Sequence, residues 1–457
     1  MRVGPVSLTI GMILLTAFEA WPADDPPAGP GLTLSAAIDA AQQQSFKIGA
    51  GRESVEAAKS DIGLSRAGHY PSLAALGSFS DYSGKVFVSR FVNPQDPTQP
   101  RPDPSETDVG PYNTTAAAVL RLTQTLYAGG ATSAKVAGSR AMHKIAGQDL
   151  QQMRVDLTRD VTQAYYDVLL STRTLDVARE ALRRSEENLE TVKRAFSEGE
   201  ALHVQVLGAQ SQLANDRQAV DVAQSNERFA QRALNRLMAR EPDTPLLLTD
   251  TLEQQAQLVD ETESVRLALE NNPQARRAGH EVELAQAQIK GARSYYKPKL
   301  QIDAYVSYLD NEMLFKGTYF GANVNLTIPF VRDFAAGSSA VGKAEAGLRA
   351  QESLQRELRS SLTLLAQEAA RHVKESQGAI GVAKEYLEYR EERYRVAQTA
   401  FKEKLATFSE ILDAHTDLSE AGLQLYQAYY QSHLAEAELR RLTGATASAA
   451  GGGSGGR

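Results

Sequence analysis

Residues 168–196, VLLSTRTLDVAREALRRSEENLETVKRAF, and residues 373–401, VKESQGAIGVAKEYLEYREERYRVAQTAF, place large apolar side chains at matching positions. An apolar residue recurs at every seventh position of the first stretch, and each has an apolar counterpart 205 positions later. The pairs are Val168 and Val373, Leu175 and Ile380, Leu182 and Leu387, Leu189 and Tyr394, and Phe196 and Phe401. A seven-residue spacing predicts long helices that coil left-handed around a partner, and the constant offset predicts an internal two-fold repeat.

A change of period follows the first helix of each predicted copy. Alanine-rich amphipathic helices are predicted over about residues 33–69 and 262–296, and Pro71 and Pro298 stop them. Beyond each proline, apolar and polar residues alternate, as in a strand with one apolar face. The alternating apolar residues of the second copy are Leu300, Ile302, Ala304, Val306 and Tyr308, then Phe320, Ala322, Val324, Leu326, Ile328 and Phe330. In the first copy, residues 93–111 are rich in Pro, Asp and Gln, which predicts an exposed loop between the strands.

The two predicted hairpins have the dimensions of membrane strands. Each strand is close to the ~9–11 residues that cross a bilayer as a tilted barrel strand, and each hairpin stands alone between long helices in the sequence. Half-buried sheets of soluble proteins alternate in the same way, so this pattern leaves that alternative open. If the strands cross a membrane, four of them cannot enclose a lumen, and several chains must contribute to one barrel.

Turns and composition set the predicted domain boundaries. The first repeat is expected over residues 32–240, with a β-hairpin over 71–127 and a long helical hairpin over 131–240 that turns at Glu198-Gly199-Glu200. The second repeat is expected over 262–444, with a β-hairpin over 298–331 and a long helical hairpin over 335–444 that turns at Glu403-Lys404-Leu405. Residues 241–261 are the predicted linker between the repeats.

The two ends of the chain are expected to lie outside the folded repeats. Residues 1–23 combine a basic start, a short apolar stretch and an alanine-bearing boundary, which predicts a secretory signal peptide. Cleavage is expected after Ala20 or Ala23. Residues 445–457 are mostly Ala, Ser and Gly and predict a flexible tail.

The composition argues against several classes of function. The 49 Lys and Arg against 56 Asp and Glu give a net charge of -7, which is unlike a nucleic-acid-binding protein. The chain has no cysteine, which removes disulfides, thiol catalysis and cysteine-ligated metals. Its seven histidines form no close ligand pair, and the sequence has no catalytic or phosphate-binding motif. We therefore expect a protein that is not an enzyme and that uses no cofactor and no metal.

One acidic pair follows the second of the predicted helical turns. Glu410 and Asp413 are three positions apart, so both project from one face of a helix. Such a pair can be a solvated negative charge that suits the first turn of a helix, or it can line a pore. The residues alone leave both interpretations open.

The order of the predicted elements resembles the TolC family of outer membrane factors over about residues 32–444. The phrases that carry the resemblance are LTQTLYAGG at 122–130, YYDVL at 165–169, AFSEG at 195–199 and ILDA at 411–414. The resemblance implies a mainly α-helical homotrimer with membrane β-strands. Four strands from each chain would form one twelve-stranded β-barrel in the outer membrane, and the long antiparallel helices would form a coiled-coil barrel that extends into the periplasm.

The resemblance also implies a function. It indicates a passive channel-tunnel with a periplasmic gate, the exit duct of a Gram-negative tripartite efflux pump or type I secretion system. Such a duct docks on a periplasmic adaptor, or membrane fusion protein, and works with an inner membrane transporter of the RND or ABC type. Outer membrane lipid would surround the barrel, and no nucleic acid would be bound.

Particular residues acquire expected roles from the same resemblance. Glu410 and Asp413 fall on the acidic, pore-facing positions of the family near its gate. The residues expected at the adaptor-docking tip are Gly199, Glu200, Lys404 and Leu405.

The sequence departs from the family pattern at two pairs of positions. The tip glycine of the family is Gly199 in the first copy but Lys404 in the second, and the Asn-Pro of the opening helix is Asn272-Pro273 in the second copy but Ser45-Phe46 in the first. The alternative function is a soluble periplasmic coiled-coil adaptor or scaffold, which would need no lipid-facing strands.

Overall fold

The computed structural model describes residues 31–88, 105–253, 260–311 and 315–444. The predicted signal peptide and the predicted tail lie outside these residues. The first half of the chain contains α1 (Leu34–Gln44), α2 (Phe46–Ala67), β1 (Ser72–Val88), β2 (Ser105–Tyr127), α3 (Ala131–Ser197) and α4 (His203–Leu237). The second half contains α5 (Glu261–Asn271), α6 (Pro273–Ala292), a short 3-10 helix (Arg293–Tyr296), β3 (Lys299–Asn311), β4 (Phe315–Thr327), α7 (Val331–Lys402) and α8 (Phe408–Thr443). The fold is mainly helical, and both halves have the same order of elements.

The prediction of one continuous opening helix in each half is wrong, because each is broken into two. The breaks lie at Ser45 and Asn272, whose backbones are extended, with ψ of 124° and 126°. At Asn272 the side chain accepts from the backbone N–H of Gln274 at 2.8 Å and so caps α6, whose first residue is Pro273. Ser45 makes no such side-chain cap. The break in the first half therefore lacks both the side-chain cap and the proline that mark the break at Asn272.

The four strands form one antiparallel sheet in the order β1-β2-β3-β4, so the hairpins of the two halves lie side by side. The predicted loop over 93–111 is too long, because β2 already begins at Ser105. The pairing of β1 with β2 shifts register between Tyr82 and Gly84, whose partners are Asn113 and Val109. Pro111 falls within this irregularity, where a residue without an N–H is tolerated. Residues 105–111 belong to β2 although their composition is typical of a loop.

The sheet has one apolar face that is exposed to solvent in the single chain. Cross-strand rows such as Leu122–Ala304–Ala322 lie on this face, and Phe320 and Val324 are 79% and 69% exposed. Polar residues occupy the alternate positions, and Asp303 accepts hydrogen bonds there from Thr123 and Asn325, both at 2.8 Å. No helix in the described part of the chain is long and apolar enough to cross a membrane.

Helix α3 is the centre of the helical part, because α1, α2, α4, α6 and α8 all pack against it. At mid-length it carries Tyr165, which is fully buried in a core that also contains Ile48 and Leu234. Asp250, in the segment between the halves, accepts from the Tyr165 hydroxyl at 2.9 Å and from the Leu34 backbone N–H at 2.8 Å. Burial, aided by the hydrogen bond to Asp250, raises the pKa of the Tyr165 hydroxyl. The start of α1 and the segment between the halves are thus fixed to one point on α3.

Candidate functional site

The candidate site is the end of the two helical hairpins, here called the tip: the turns 198–202 and 403–407 and the helix ends beside them. Both turns need a backbone with positive φ, which is 77° at Gly199 and 63° at Lys404. Glycine adopts this conformation freely, whereas a residue with a side chain pays about 1 kcal/mol or more. The two halves therefore make the same turn, with a glycine that adopts the required backbone conformation freely in the first half and a lysine that adopts it at a cost in the second.

A charge pair joins the two turns. The Lys404 ammonium donates to Glu200 Oε1 at 2.5 Å, and this hydrogen bond raises the pKa of Lys404. Two leucines beside the pair are largely exposed, Leu202 at 68% and Leu405 at 78%. Glu200 and Lys404 are therefore in contact, and Gly199 and Leu405 lie next to them in the turns. The docking role of these four residues stays a prediction.

Below the turns the two hairpins share one hydrophobic core. Its buried residues come from all four helices and are Leu189, Val192, Val206, Ala209, Leu213, Tyr394, Phe408, Ile411 and Ala414. Leu189 and Tyr394, one of the apolar pairs that recur every seven positions in the sequence, both lie in this core. The tip is therefore one packed body rather than two independent hairpins.

Glu410 and Asp413 lie at the start of α8 on its exposed face, while Ile411 and Ala414 point into the tip core. Glu410 completes a capping box, since Glu410 Oε1 accepts from the backbone N–H of Thr407 at 3.2 Å and from its hydroxyl at 3.0 Å. This contact supplies a local role for Glu410 in starting the helix. The exposure of both carboxylates is compatible with a pore-facing position, which stays a prediction.

A buried polar cluster, made of Ser185 on α3, Asp216 on α4 and His415 on α8, lies directly beyond the tip core. His415 Nε2 is 3.0 Å from Asp216 Oδ2, and the Ser185 hydroxyl donates to the same oxygen. Gln212 donates to Asp216 Oδ1 at 3.1 Å. His415 is 1% exposed, and its Nδ1 atom is buried without a hydrogen-bond partner. The cluster joins three helices from both halves of the chain.

The environment of Asp216 favours its charged form. Burial alone would raise the pKa of this carboxyl, but the hydrogen bonds from His415 and Ser185 outweigh it and leave the pKa below its ordinary value. The stabilisation that Asp216 contributes is therefore present above the ordinary carboxylate range and is lost as the pH falls through the depressed value.

The geometry of the cluster differs from that of a catalytic triad. In a triad the imidazole lies between the hydroxyl and the carboxylate and faces them with different nitrogens. Here the Nε2 atom of His415 is 3.0 Å from Asp216 Oδ2 and 3.3 Å from Ser185 Oγ, and the Ser185 hydroxyl donates directly to the same carboxylate oxygen. The described residues also contain no group of three or more His, Asp or Glu side chains arranged to hold a metal ion. The cluster connects helices α3, α4 and α8. Its exposed neighbours on α8 include the charged residues Glu410 and Asp413.

The sequence held a signal for this cluster that the search for motifs missed. Asp216 continues the buried positions of α4, which are Val206, Ala209 and Leu213, and His415 continues the series Phe408 and Ile411 on α8. A charged or titratable residue in an apolar series marks a buried polar contact. The residues 205 positions away from Ser185, Asp216 and His415 are Arg390, Ala421 and Gln210, so the cluster has no counterpart in the other half.

A protein-family model and one curated relative match most of this chain. The family model described as outer membrane efflux protein matches residues 37–240 and 264–445. Protein CyaE of Bordetella pertussis is 26% identical to this chain over 366 residues, which are 77% of this chain and 73% of that protein.

Solved structures of outer membrane channels have a similar fold. The outer-membrane channel OprN is 15% identical, with a TM-score of 0.74 and coverage of 90% of each chain. The outer membrane protein VceC of Vibrio cholerae is 16% identical, with a TM-score of 0.72 and coverage of 90% of this chain and 96% of that one. At these identities the likeness concerns the fold alone.

Proposed function

Because the chain belongs to the outer membrane efflux protein family, we propose that it is a trimeric channel-tunnel with a gate at its periplasmic tip. Family membership itself places the chain in the outer membrane with a periplasmic extension, as an exit duct for efflux or secretion. The family consists of outer membrane channels, which supports a role without catalysis. An outer membrane location does not fit the alternative of a soluble periplasmic adaptor.

The main support for a trimer is that the sheet of one chain is open at both edges. Within the described residues, β1 and β4 each pair on one side only, and the sheet exposes an apolar face that water does not favour. A membrane sheet must close on itself, because lipid cannot satisfy the backbone groups of an edge strand. Twelve strands from three chains would close the barrel, place the apolar face against lipid and turn the polar face toward the lumen.

The helices support the same assembly. On α7 the side chains of Val382, Tyr389 and Val396 recur every seven residues and are 70%, 60% and 53% exposed. On α4, Val222 and Phe229 have the same spacing and are 52% and 72% exposed. An apolar stripe with coiled-coil spacing fits a neighbouring helix, and a ring of three chains would supply one to each stripe.

In this assembly Glu410 and Asp413 would form two rings of three carboxylates around a narrow axis. A narrow mouth with low-dielectric walls concentrates the field of such rings, so we expect a preference for cations. The exposed tip residues would contact a periplasmic adaptor, and an inner membrane transporter of the RND or ABC type would supply the energy.

Mass measurement and planar bilayers test the proposed function. The mature protein, extracted from outer membranes in detergent, should have the mass of three chains and should form ion-conducting channels. A monodisperse monomer that remains soluble without detergent, and that forms no channels, would refute the proposal.

A further inference from the structure

The buried cluster of Ser185, Asp216 and His415 is a polar contact between helices that otherwise meet through apolar side chains. Apolar packing has little directional preference, so two helices joined by it can shift along each other at modest cost. A buried polar group that loses its partner is left unsatisfied away from water, which destabilises the structure, and more so if the group is charged. Polar contacts in an apolar interface therefore select one alignment of the helices.

The three residues of the cluster lie close to the two acids that we propose to face the pore. Ser185 and Asp216 belong to the α3–α4 hairpin, and His415 belongs to α8, five residues after Glu410 and two after Asp413. His415 points into the interface while the two acids point away from it. Since one helix carries all three residues, the contact of His415 also fixes the height and rotation of the acids.

A further charged side chain lies half-buried near the cluster. The Arg184 side chain on α3 is only 13% exposed, donates to the Ser419 hydroxyl at 3.2 Å and lies 5.9 Å from the centre of the Tyr394 ring. Burial lowers the pKa of Arg184, and the charge of Glu180, with a smaller contribution from Asp216, partly offsets this effect. The polar contacts of α8 with the α3–α4 hairpin at this level thus include those of His415 with Asp216 and of Ser419 with Arg184, while Asp417 of α8 pairs with Arg390 and Arg393 of α7.

We infer that Ser185, Asp216 and His415 are positioning residues that hold α8 in one register against the α3–α4 hairpin, and so set where Glu410 and Asp413 stand in the pore. The consequence for the pore rests on the proposed function, whereas the register itself does not. The contact acts within one chain and ties its two halves together at the tip.

A distance measurement tests the register. The chain has no cysteine, so spin labels can be attached at Glu190→Cys on α3 and Thr416→Cys on α8, both at exposed positions. Labelled chains are diluted with unlabelled ones, so that each distance lies within one chain. We expect a single narrow distance in the otherwise unchanged protein.

Three variants separate positioning from mere packing. The triple variant S185A/D216L/H415L replaces the cluster by apolar side chains, which often keeps or raises stability, yet its distance should shift or broaden, by about 5 Å for a slip of one turn. His415→Gln keeps a donor near the Nε2 position and should preserve the distance. His415→Asn cannot reach that position and should behave as the triple variant does, which retains the test if the triple variant fails to fold.

His433→Leu is the matched control, because His433 is also buried on α8 but contacts the Leu252 carbonyl, far along the helix from the tip. It should leave the tip distance unchanged. In planar bilayers the triple and Asn variants should show a spread of conductance values, while the Gln variant keeps one. Unchanged distances in both the triple and Asn variants would overturn the inference, whereas a starting protein that forms no channels would refute only the proposed function.

Discussion

Helices α3 and α7 occupy equivalent places in the two halves of the chain, yet α7 carries an exposed apolar stripe where the corresponding part of α3 is covered. Val161, Tyr165 and Val192 of α3 are 0% exposed, because other helices of the same chain cover it. Val382 and Tyr389 of α7 are 70% and 60% exposed. The residues repeated at an offset of 205, such as Val168 and Val373, are buried in both halves, whereas the counterparts of Val382 and Tyr389 in α3 are Val177 and Arg184. The exposed residues of α7 thus lie outside the repeated pattern and, as we propose, contact the next copy of the chain.

The largest effect is expected from charges placed on the open side of α7. The double variant V382R/Y389R should abolish the trimer, because two charges would be buried between helices without partners. The mass in detergent should fall from three chains to one. Glu388→Arg, at an exposed position of α7 outside the stripe, should leave three chains; equal loss in both variants would mean that the stripe is not an interface.

The strands extend the comparison to the exposed apolar surface of the sheet. Val324→Arg or Leu326→Arg should reduce the folded yield in outer membranes, since a charge that faces lipid costs ~2–4 kcal/mol near the bilayer midplane. Asn323→Arg and Asn325→Arg, on the other face of β4, should be tolerated because they meet water. Similar losses in all four variants, measured by heat-modifiable mobility on gels, would reject the assignment of faces.

A smaller effect is expected at the tip, where only the second half carries acids. The counterparts of Glu410 and Asp413 in the first half are Gln205 and Gly208. The double variant E410A/D413A should lower cation selectivity and abolish block by multivalent cations in single-channel recordings, with the trimer intact. Because Glu410 also caps α8, Glu410→Gln is the control for the capping contact. Selectivity that survives in E410A/D413A would leave these residues as a solvated helix start.

The smallest effect is expected from exchanging the two turn residues. Lys404→Gly removes a side chain from a backbone with φ of 63° and should raise stability by up to about 1 kcal/mol, less a fraction for the lost pair with Glu200, which is exposed. Gly199→Lys should lower it by a similar amount. Melting temperatures of the two variants should move in opposite directions, and a shift in the same direction would contradict the role of backbone conformation.

The sequence was sufficient for the features that repeat. Val168, Leu175, Val373 and Ile380 were predicted to face a partner helix, and all four are buried. Residues that act through long-range contacts were not recognised, since Asp216 and His415 are 199 positions apart. The break at Ser45 was also missed, because no proline follows it and a single serine is a weak signal. The extension of β2 past Pro111 depended on a register shift that only the pairing with β1 reveals.

The buried contacts of Tyr165 hold α3 at one point near its middle, around which the rest of the helix can pivot. From Tyr165 to the end of α3 at Ser197 the helix is about 48 Å long at 1.5 Å per residue. A rotation of about 5° around this point would move the tip by about 4 Å, a large change for a narrow opening. Asp250, which accepts hydrogen bonds from Tyr165 and from the start of α1, therefore lies at the short end of a lever whose long end is the tip.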